Sequence, residues 1–334
     1  MATPFNVLIS SAGRRVALLQ TFRQSLANLG LEGRLLAVDI QRLSAAFHAA
    51  DEGFLVPRCT SDAFIPAMLE LCKTHQVKLV VPTLDPELMA YATHRAEFAA
   101  IGTTVAISSP QVVAIGSDKA QTHAWLVSQG FPAPRQADPQ AVLAKQDSWP
   151  WPLIAKPIQG SSSIGVVQVD SPEALRMATR SGEHIVQTIA PGKEYTVSVY
   201  VDQKGRCHCA VPRRRLEVRG GEVSKGMTVR APEVQALARA IAERLPGAYG
   251  VLNVQIFWDE KTGELTVIEM NARFGGGYPL AWQAGARYSQ WLIEDLLGLP
   301  STASWEAWED GVVMLRYDDA VFVKREDAGV DRLA

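Results

Sequence analysis

The chain has 334 residues, 47% of them hydrophobic and 20% charged, with a formal net charge of −2. That balance excludes a disordered chain and a strongly basic nucleic-acid binder, and the length allows two or three compact lobes with an ample core. No basic leader precedes the short apolar run of Met1–Ile9, so a cytoplasmic protein with neither a membrane nor a nucleic-acid partner is expected.

The first third alternates short apolar runs with helical patterns. Strands are predicted over Asn6–Ser10, Arg34–Asp39 and Leu79–Pro82, and helices over Val16–Asn28 and Ala63–His75. This βαβαβ rhythm implies an α/β unit with a parallel, doubly wound sheet, spanning residues 1–115. Its first turn, Ser10-Ser-Ala-Gly-Arg-Arg15, stands at a strand-to-helix junction, and Asp39 ends the second strand where such folds hold a ribose. The full Gly-x-Gly-x-x-Gly fingerprint is absent, so the turn reads as structural or as a contact to a second substrate.

Ser117-Asp-Lys119 caps a helix running to about Gln129, and another helix is expected over Pro139–Gln146. The strand Pro152–Pro157 carries Lys156 on the same face as Ile154, and a lysine in so apolar a run needs an anionic partner. The loop Gly160-Ser161-Ser162-Ser163-Ile164-Gly165 follows. It lies between two strands, so it is a hairpin loop and not a Walker-type loop, and its free N–H and hydroxyl donors suit a flap over phosphates. Strands are predicted at His184–Thr188 and Glu194–Val201. Between them, Ile189-Ala-Pro-Gly192 can offer main-chain groups to an adenine edge, with Glu194 placed to accept from ribose hydroxyls.

Cys207-His-Cys209 sits within a predicted strand and lacks a second ligand pair at zinc spacing, so its cysteines read as apolar residues on one sheet face. The basic run Arg213-Arg-Arg215, Arg219, Lys225 and Arg230 is either a solvated face or a source of side chains that bind the carboxylate or phosphate of a second substrate. Gly250–Trp258 and Glu264–Asn271 flank the turn Asp259–Gly263 as a β-hairpin. Pairing centred on Thr262 sets Gln255 opposite Glu269, and Asn271 shares their face. A carboxylate and two amides converging in an apolar hairpin suit a hard cation bound mostly by phosphates, Mg²⁺ before Mn²⁺. Arg273 continues the same face, where a guanidinium can stabilise a phosphoryl group in transfer. Gly275–Gly277 then turns into a helix expected over Leu280–Tyr288, with Gly276 and Gly277 allowing close substrate approach.

In this order the motifs resemble the ATP-grasp superfamily, and in particular short single-unit relatives of the carbamoyl-phosphate synthetase large subunit. The resemblance spans about Val7–Val323 and implies a Rossmann-like unit followed by a small lobe (116–186) and a large lobe (187–326) that close on ATP. It gives Lys119 and Lys156 as contacts to the ATP phosphates, Gly160 to Gly165 as the lid, Gln187, Thr188 and Ile189 as the adenine hinge, and Glu194 as the ribose acid. Gln255, Glu269 and Asn271 correspond to the Mg²⁺ ligands and Arg273 to the arginine beside the transferred group, so catalysis falls to Arg273, Lys156 and Asn271. Arg213, Arg215, Lys225, Arg230, Gly276 and Gly277 are the candidates for binding the second substrate. Gln255 stands where many relatives have an acid, leaving Glu269 as the charged ligand. One unit without a glutaminase-like segment turns the expectation from carbamoyl phosphate synthesis to an ATP-dependent carboxylate–amine ligase acting on small metabolites or amino acids. The alternatives are a carboxylate or bicarbonate kinase and a catalytically silent nucleotide-binding regulator. A homodimer is compatible with all three.

Overall fold

A computed structural model describes residues 4–160 and 164–330; Ser161, Ser162 and Ser163 of the expected lid lie outside the described residues. The strands β1 (Asn6–Ile9), β2 (Leu35–Asp39), β3 (Glu52–Leu55), β4 (Val77–Val81) and β5 (Thr104–Val105) form a parallel sheet in the order β3-β2-β1-β4-β5. Alternation along these strands feeds two cores. Val7, Ile9, Leu35, Ala37, Leu79 and Val81 pack with helix Val16–Asn28, while Leu8, Leu36, Val38 and Val80 pack with helices Phe64–Thr74 and Asp85–Thr93. The two edge strands were not foreseen, since Glu52-Gly-Phe-Leu has no continuous apolar run and β5 is only two residues long.

Because β1 lies between β2 and β4, the turns that follow β1 and β4 stand side by side at the switch point of the sheet. Glu87 fastens them together. Its fully buried carboxylate accepts from Ser10 Oγ (2.6 Å), Ser11 Oγ (2.7 Å), the Thr83 N–H (2.7 Å) and the Leu84 N–H (3.0 Å). Burial still raises its pKa, against the pull of those four donors. The Asp39 carboxylate is likewise occupied, accepting from the Gly13 N–H at 3.0 Å and the Ile40 N–H at 2.7 Å, so it closes the first turn internally.

A four-stranded sheet comprises β6 (Gln136–Ala137), β7 (Leu153–Pro157), β8 (Val167–Val169) and β9 (His184–Thr188) in the order β6-β9-β7-β8. Leu153, Ala155, Val169 and Val186 cover one face together with Leu175 of helix Pro172–Ala178. Ile154 and Lys156 therefore point the other way, and β9 sets Gln187 beside Ile154.

The largest sheet holds β10 (Lys193–Val201), β11 (Cys207–Arg219), β12 (Glu222–Thr228), β13 (Gly250–Asp259), β14 (Glu264–Asn271) and β15 (Val313–Leu315), ordered β14-β13-β10-β11-β12-β15. Tyr195, Val197, Val199, Leu252, Val254, Ile256, Val267 and Met270 pack beneath it with helix Pro232–Arg244. Their neighbours in sequence must then occupy the opposite face. There β10 presents Glu194, Thr196, Ser198 and Tyr200 in turn, and β13 presents Asn253, Gln255 and Phe257. The hairpin register centred on Thr262 holds for Asn253–Gln255 against Glu269–Asn271. Nearer the turn it is one residue out, because a bulge lies between Gln255 and Ile256 on one side and Val267 and Glu269 on the other.

Two other readings are corrected. A register shift at the His208 position sends Cys207 into the core beneath the sheet and Cys209 into the opposite one, so the two cysteines do not share a face. The helix expected over Leu280–Tyr288 is two helices, Tyr278–Gln283 and Tyr288–Leu297, separated at Gly285, whose φ of 115° a residue with a Cβ rarely adopts.

Replacing Glu87 by Ala leaves two hydroxyls and two backbone N–H groups, that of Thr83 buried, without their acceptor, and is expected to destabilise the protein by about 3 kcal/mol. Urea unfolding checks this, and a loss below about 1 kcal/mol would show that the carboxylate does not hold the two turns.

Candidate functional site

Two cavities lie on the polar face of the large sheet. The first, of about 240 Å³, is enclosed between this face and the small sheet, and its lining includes Lys119, Lys156, Gly160, Gln187, Thr188, Ile189, Glu194, Gln255 and Glu269. Of the expected nucleotide residues only Ser161–Ser163, outside the described residues, and Gly165 are absent from that lining. Ile154, Val166, Phe257 and Ile268 give it apolar walls that sequence reading missed. Phe257 was within reach, two positions from Gln255 on the same strand face; Ile268 was not, since only the bulge turns it toward the cavity side along with Glu269.

Lys156 is 5% exposed, and its Nζ has no hydrogen-bond or ion-pair partner among the described residues. Burial pulls its pKa down to about 8, with Glu269 opposing the shift and Lys119 adding to it. Lys119 donates from Nζ to the Gly160 carbonyl at 2.8 Å, tying the base of the lid to the helix Lys119–Ser128. An unpartnered ammonium on an otherwise apolar wall fits the phosphates of a nucleotide. Gln187 is held by its Nε2 donating to Gln136 Oε1 at 2.6 Å, and Glu194 is paired with Arg215 Nη1 at 2.6 Å.

The second cavity, of about 220 Å³, adjoins the first across Gln255, Glu269 and Arg215, which line both. Asn271 Nδ2 donates to Glu269 Oε1 at 3.2 Å, so these two side chains meet as the strand spacing predicts. Among the described residues no three His, Cys, Asp or Glu side chains cluster as a self-sufficient metal cage. One carboxylate with two amides suits Mg²⁺, which keeps phosphate and water ligands of its own. Bound there, the ion would offset charge on the phosphates.

Three walls of the second cavity come from distant parts of the chain. Thr83, Leu84, Asp85 and Arg15 project from the two turns fastened by Glu87; Asp85 takes Arg273 in a bidentate pair, with Nε–Oδ1 2.7 Å and Nη2–Oδ2 2.6 Å. Burial works to lower the Arg273 pKa, but Asp85 outweighs it and the net shift is upward. Glu222 faces Arg15 at 3.6 Å and Arg316 at 2.9 Å, and Arg316 also donates to the Gly276 carbonyl. Arg213 is buried over Gly275–Gly277, with Nη2 donating to Ser198 Oγ (2.9 Å) and Asn253 Oδ1 (3.1 Å). Asp85, Ser198, Asn253 and Glu222 carried no role in the sequence reading. Ser198 and Asn253 had a signal, being polar residues set between apolar ones in two strands, where they face each other across the sheet.

Lys225 and Arg230 are not brought to either cavity. Lys225 pairs at the surface with Glu217 (2.6 Å). Arg230 pairs with Glu306, donates to the Trp308 carbonyl (2.6 Å) and lies 4.3 Å over the Trp308 ring, where it holds the C-terminal segment. Their placement gives them structural work away from both cavities, as the solvated-face alternative expects of part of this run.

Two adjoining cavities, one lined by buried lysines and the other by arginines, suit an enzyme that uses a nucleotide on a second small molecule. Residues 7–106 match the PylC-like N-terminal domain and residues 116–277 match the ATP-grasp domain. Together these matches cover most of the chain, which belongs to the ATP-grasp superfamily and is an ATP-using enzyme of the ligase class. It is 27% identical over 273 residues to a D-alanine–D-alanine ligase of Kineococcus radiotolerans, covering 70% of this chain and 72% of that one. Among solved structures it is similar to the biotin carboxylase domain of the Hydrogenobacter thermophilus 2-oxoglutarate carboxylase, in complex with MgADP, ADP and bicarbonate. That match has a TM-score of 0.72 and 17% identity over 93% of this chain and 74% of the other. N5-carboxyaminoimidazole ribonucleotide synthetase from Thermotoga maritima aligns with a TM-score of 0.67 and 18% identity over 90% and 78% of the two chains.

Lys156→Met keeps the apolar stem and removes the charge, so the affinity for ATP is expected to fall by about 10- to 100-fold, the scale of one charge-assisted contact. Melting temperature should hold or rise, since an unpartnered buried charge is removed. Nucleotide titration and a thermal melt check both; unchanged ATP affinity would remove Lys156 from the phosphate site.

Proposed function

We propose that this protein joins a small carboxylic acid to an amine at the expense of ATP, through an acyl phosphate. One observation carries the reading: the nucleotide chamber and the cationic cavity meet at Gln255 and Glu269, so an acid in the second cavity is in reach of the terminal phosphate in the first. In this division of labour residues 1–115 supply one wall of the acid site, 116–186 the flap and roof, and 187–326 the metal ligands. The last stretch of that span, with Arg316, closes over the glycine turn.

A carboxylate is a poor electrophile because its charge is delocalised over two oxygens. A carboxylate oxygen attacks the γ-phosphorus as the bond to ADP breaks; the amine nitrogen then attacks the acyl carbon, phosphate leaves and the amine loses a proton. What the protein contributes is alignment and charge stabilisation. Lys156 would hold phosphate oxygens, and Gln255, Glu269 and Asn271 would hold the metal. Arg215, held by Glu194, lies at the seam; Arg273, fixed by Asp85, faces the transferred group from the second cavity. Closure of the glycine–serine flap would exclude water from the acyl phosphate. A cytoplasmic setting suits this reading, and among the described residues no helix is long and apolar enough to cross a membrane.

Glu269→Ala removes the only charged metal ligand and is expected to abolish Mg²⁺-dependent ATP turnover with the fold intact. Wild-type rates in that variant would refute the metal assignment. ADP release that requires an added amine supports ligation, whereas equal release without one would identify a carboxylate or bicarbonate kinase.

A further inference from the structure

The second cavity is lined by four arginines, and three of them are already answered. Arg15 faces Glu222, Arg215 is paired with Glu194, and Arg273 is paired with Asp85. Arg213, 3% exposed, meets among the described residues only neutral oxygens, Ser198 Oγ and Asn253 Oδ1. Its Nε is buried with no hydrogen-bond partner, although each guanidinium N–H is an obligate donor. Burial lowers its pKa to about 10, so it remains cationic at neutral pH. A buried cation left with an unused donor is costly unless an anion arrives to meet it.

The setting also fixes where that anion sits. A Cβ on Gly277 would lie 1.8 Å from Arg213 Nη1, so the guanidinium rests directly on the glycine backbone. Arg213 and Arg215 occupy the same face of β11 with no register shift between them, roughly 6.8 Å apart along the strand. Arg215 stands at the seam between the cavities, where the reacting carboxylate must lie under the proposed function; Arg213 borders the second cavity alone. The anion at Arg213 is therefore not the group that reacts.

We propose that Arg213 is a specificity-determining residue that binds a second, non-reacting anionic group, so that the acid substrate is a short molecule with two anionic groups (here a dianion, its ammonium left uncounted), such as a dicarboxylate or acidic amino acid, and not a simple monocarboxylate or bicarbonate. The inference rests on the proposed function for which carboxylate reacts, but the dianion site itself is read by binding alone.

Succinate, glutarate, L-glutamate and 3-phosphonopropanoate are titrated into the full chain saturated with Mg·ADP, beside propanoate, butyrate and bicarbonate. The dianions are expected to bind at least tenfold more tightly than the monoanions, and the phosphonate arm tells whether a phosphate serves as well as a carboxylate. Arg213→Gln should erase the preference. Gly277→Ala should erase it too while retaining the arginine, because the new Cβ would lie 1.8 Å from Arg213 Nη1 and displace the guanidinium, with Val223 Cγ1, at 2.9 Å, giving way beside it; thermal melts of both variants report folding separately. Monoanions binding as well as every dianion, or a preference that survives Gly277→Ala, would overturn the proposal. Dianion binding without amine-dependent ADP release would leave this site standing and defeat the ligase reading instead.

Discussion

One face of the six-stranded sheet is committed to an apolar core, and the rest of the site follows from that commitment. Tyr195, Val197 and Val199 of β10 and Leu252, Val254 and Ile256 of β13 are buried beneath the sheet, so every intervening side chain is forced onto the other face. Along β10 that face runs Tyr200, Ser198, Thr196, Glu194: a core tyrosine, the hydroxyl that orients Arg213, a wall of the second cavity, and the acid of the nucleotide chamber. Shifting the register by one residue would bury the charges and expose the core together, which is why the pairing of these strands is so strongly specified. The bulge in β14 is a local departure within the hairpin, and it places Ile268 and Glu269 together on the cavity side.

Carboxylates from the parallel-sheet unit bind this face to it in two ways. Glu87 uses all its accepting capacity to lock the turns after β1 and β4 against each other, and Asp85, two residues earlier, reaches across to Arg273 beyond the metal-binding strand. The first bond set is internal and the second spans the unit boundary, so the geometry of the second cavity depends on both. A shared core reinforces it, since Val7, Ile9 and Phe22 pack in the same cluster as Tyr200, Phe274 and Trp291. The N-terminal unit is thus a structural wall of the acid site as well as a neighbour of it.

Much of this was legible in sequence, where the side-chain period is strict. The hairpin alternation gave Gln255, Glu269 and Asn271 one face, and the isolated Lys156 in an apolar strand signalled an anion. What sequence could not give was pairing at long range. Arg213, Lys225 and Arg230 read alike as members of one basic run, yet Lys225 is spent on Glu217, Arg230 on Glu306 and Trp308, and Arg213 alone is buried over a cavity. Whether a cation is free depends on which carboxylate the fold delivers to it, and Asp85, Glu222 and Glu306 lie 70 or more positions from their arginines. The bulge was invisible for a different reason: a one-residue insertion opposite the turn preserves the register at the site it was inferred from.

The resulting charge pattern is itself an argument about order and fit. Each cavity keeps buried cations without a carboxylate partner among the described residues, Lys156 with Lys119 beside it in the first and Arg213 in the second, and Glu269 lies between them, accepting from Asn271. Positive, negative, positive is the complement of a phosphate chain, a divalent ion and an anionic acid laid end to end. Every other arginine of the second cavity's lining is already paired with a carboxylate, so the protein does not attract anions indiscriminately; under the proposed function its open positions fall where joining an acid to an amine needs them. Adding a carboxylate beside either cation would relieve its isolation and stabilise the free protein, at the cost of the vacancy that its ligands must fill.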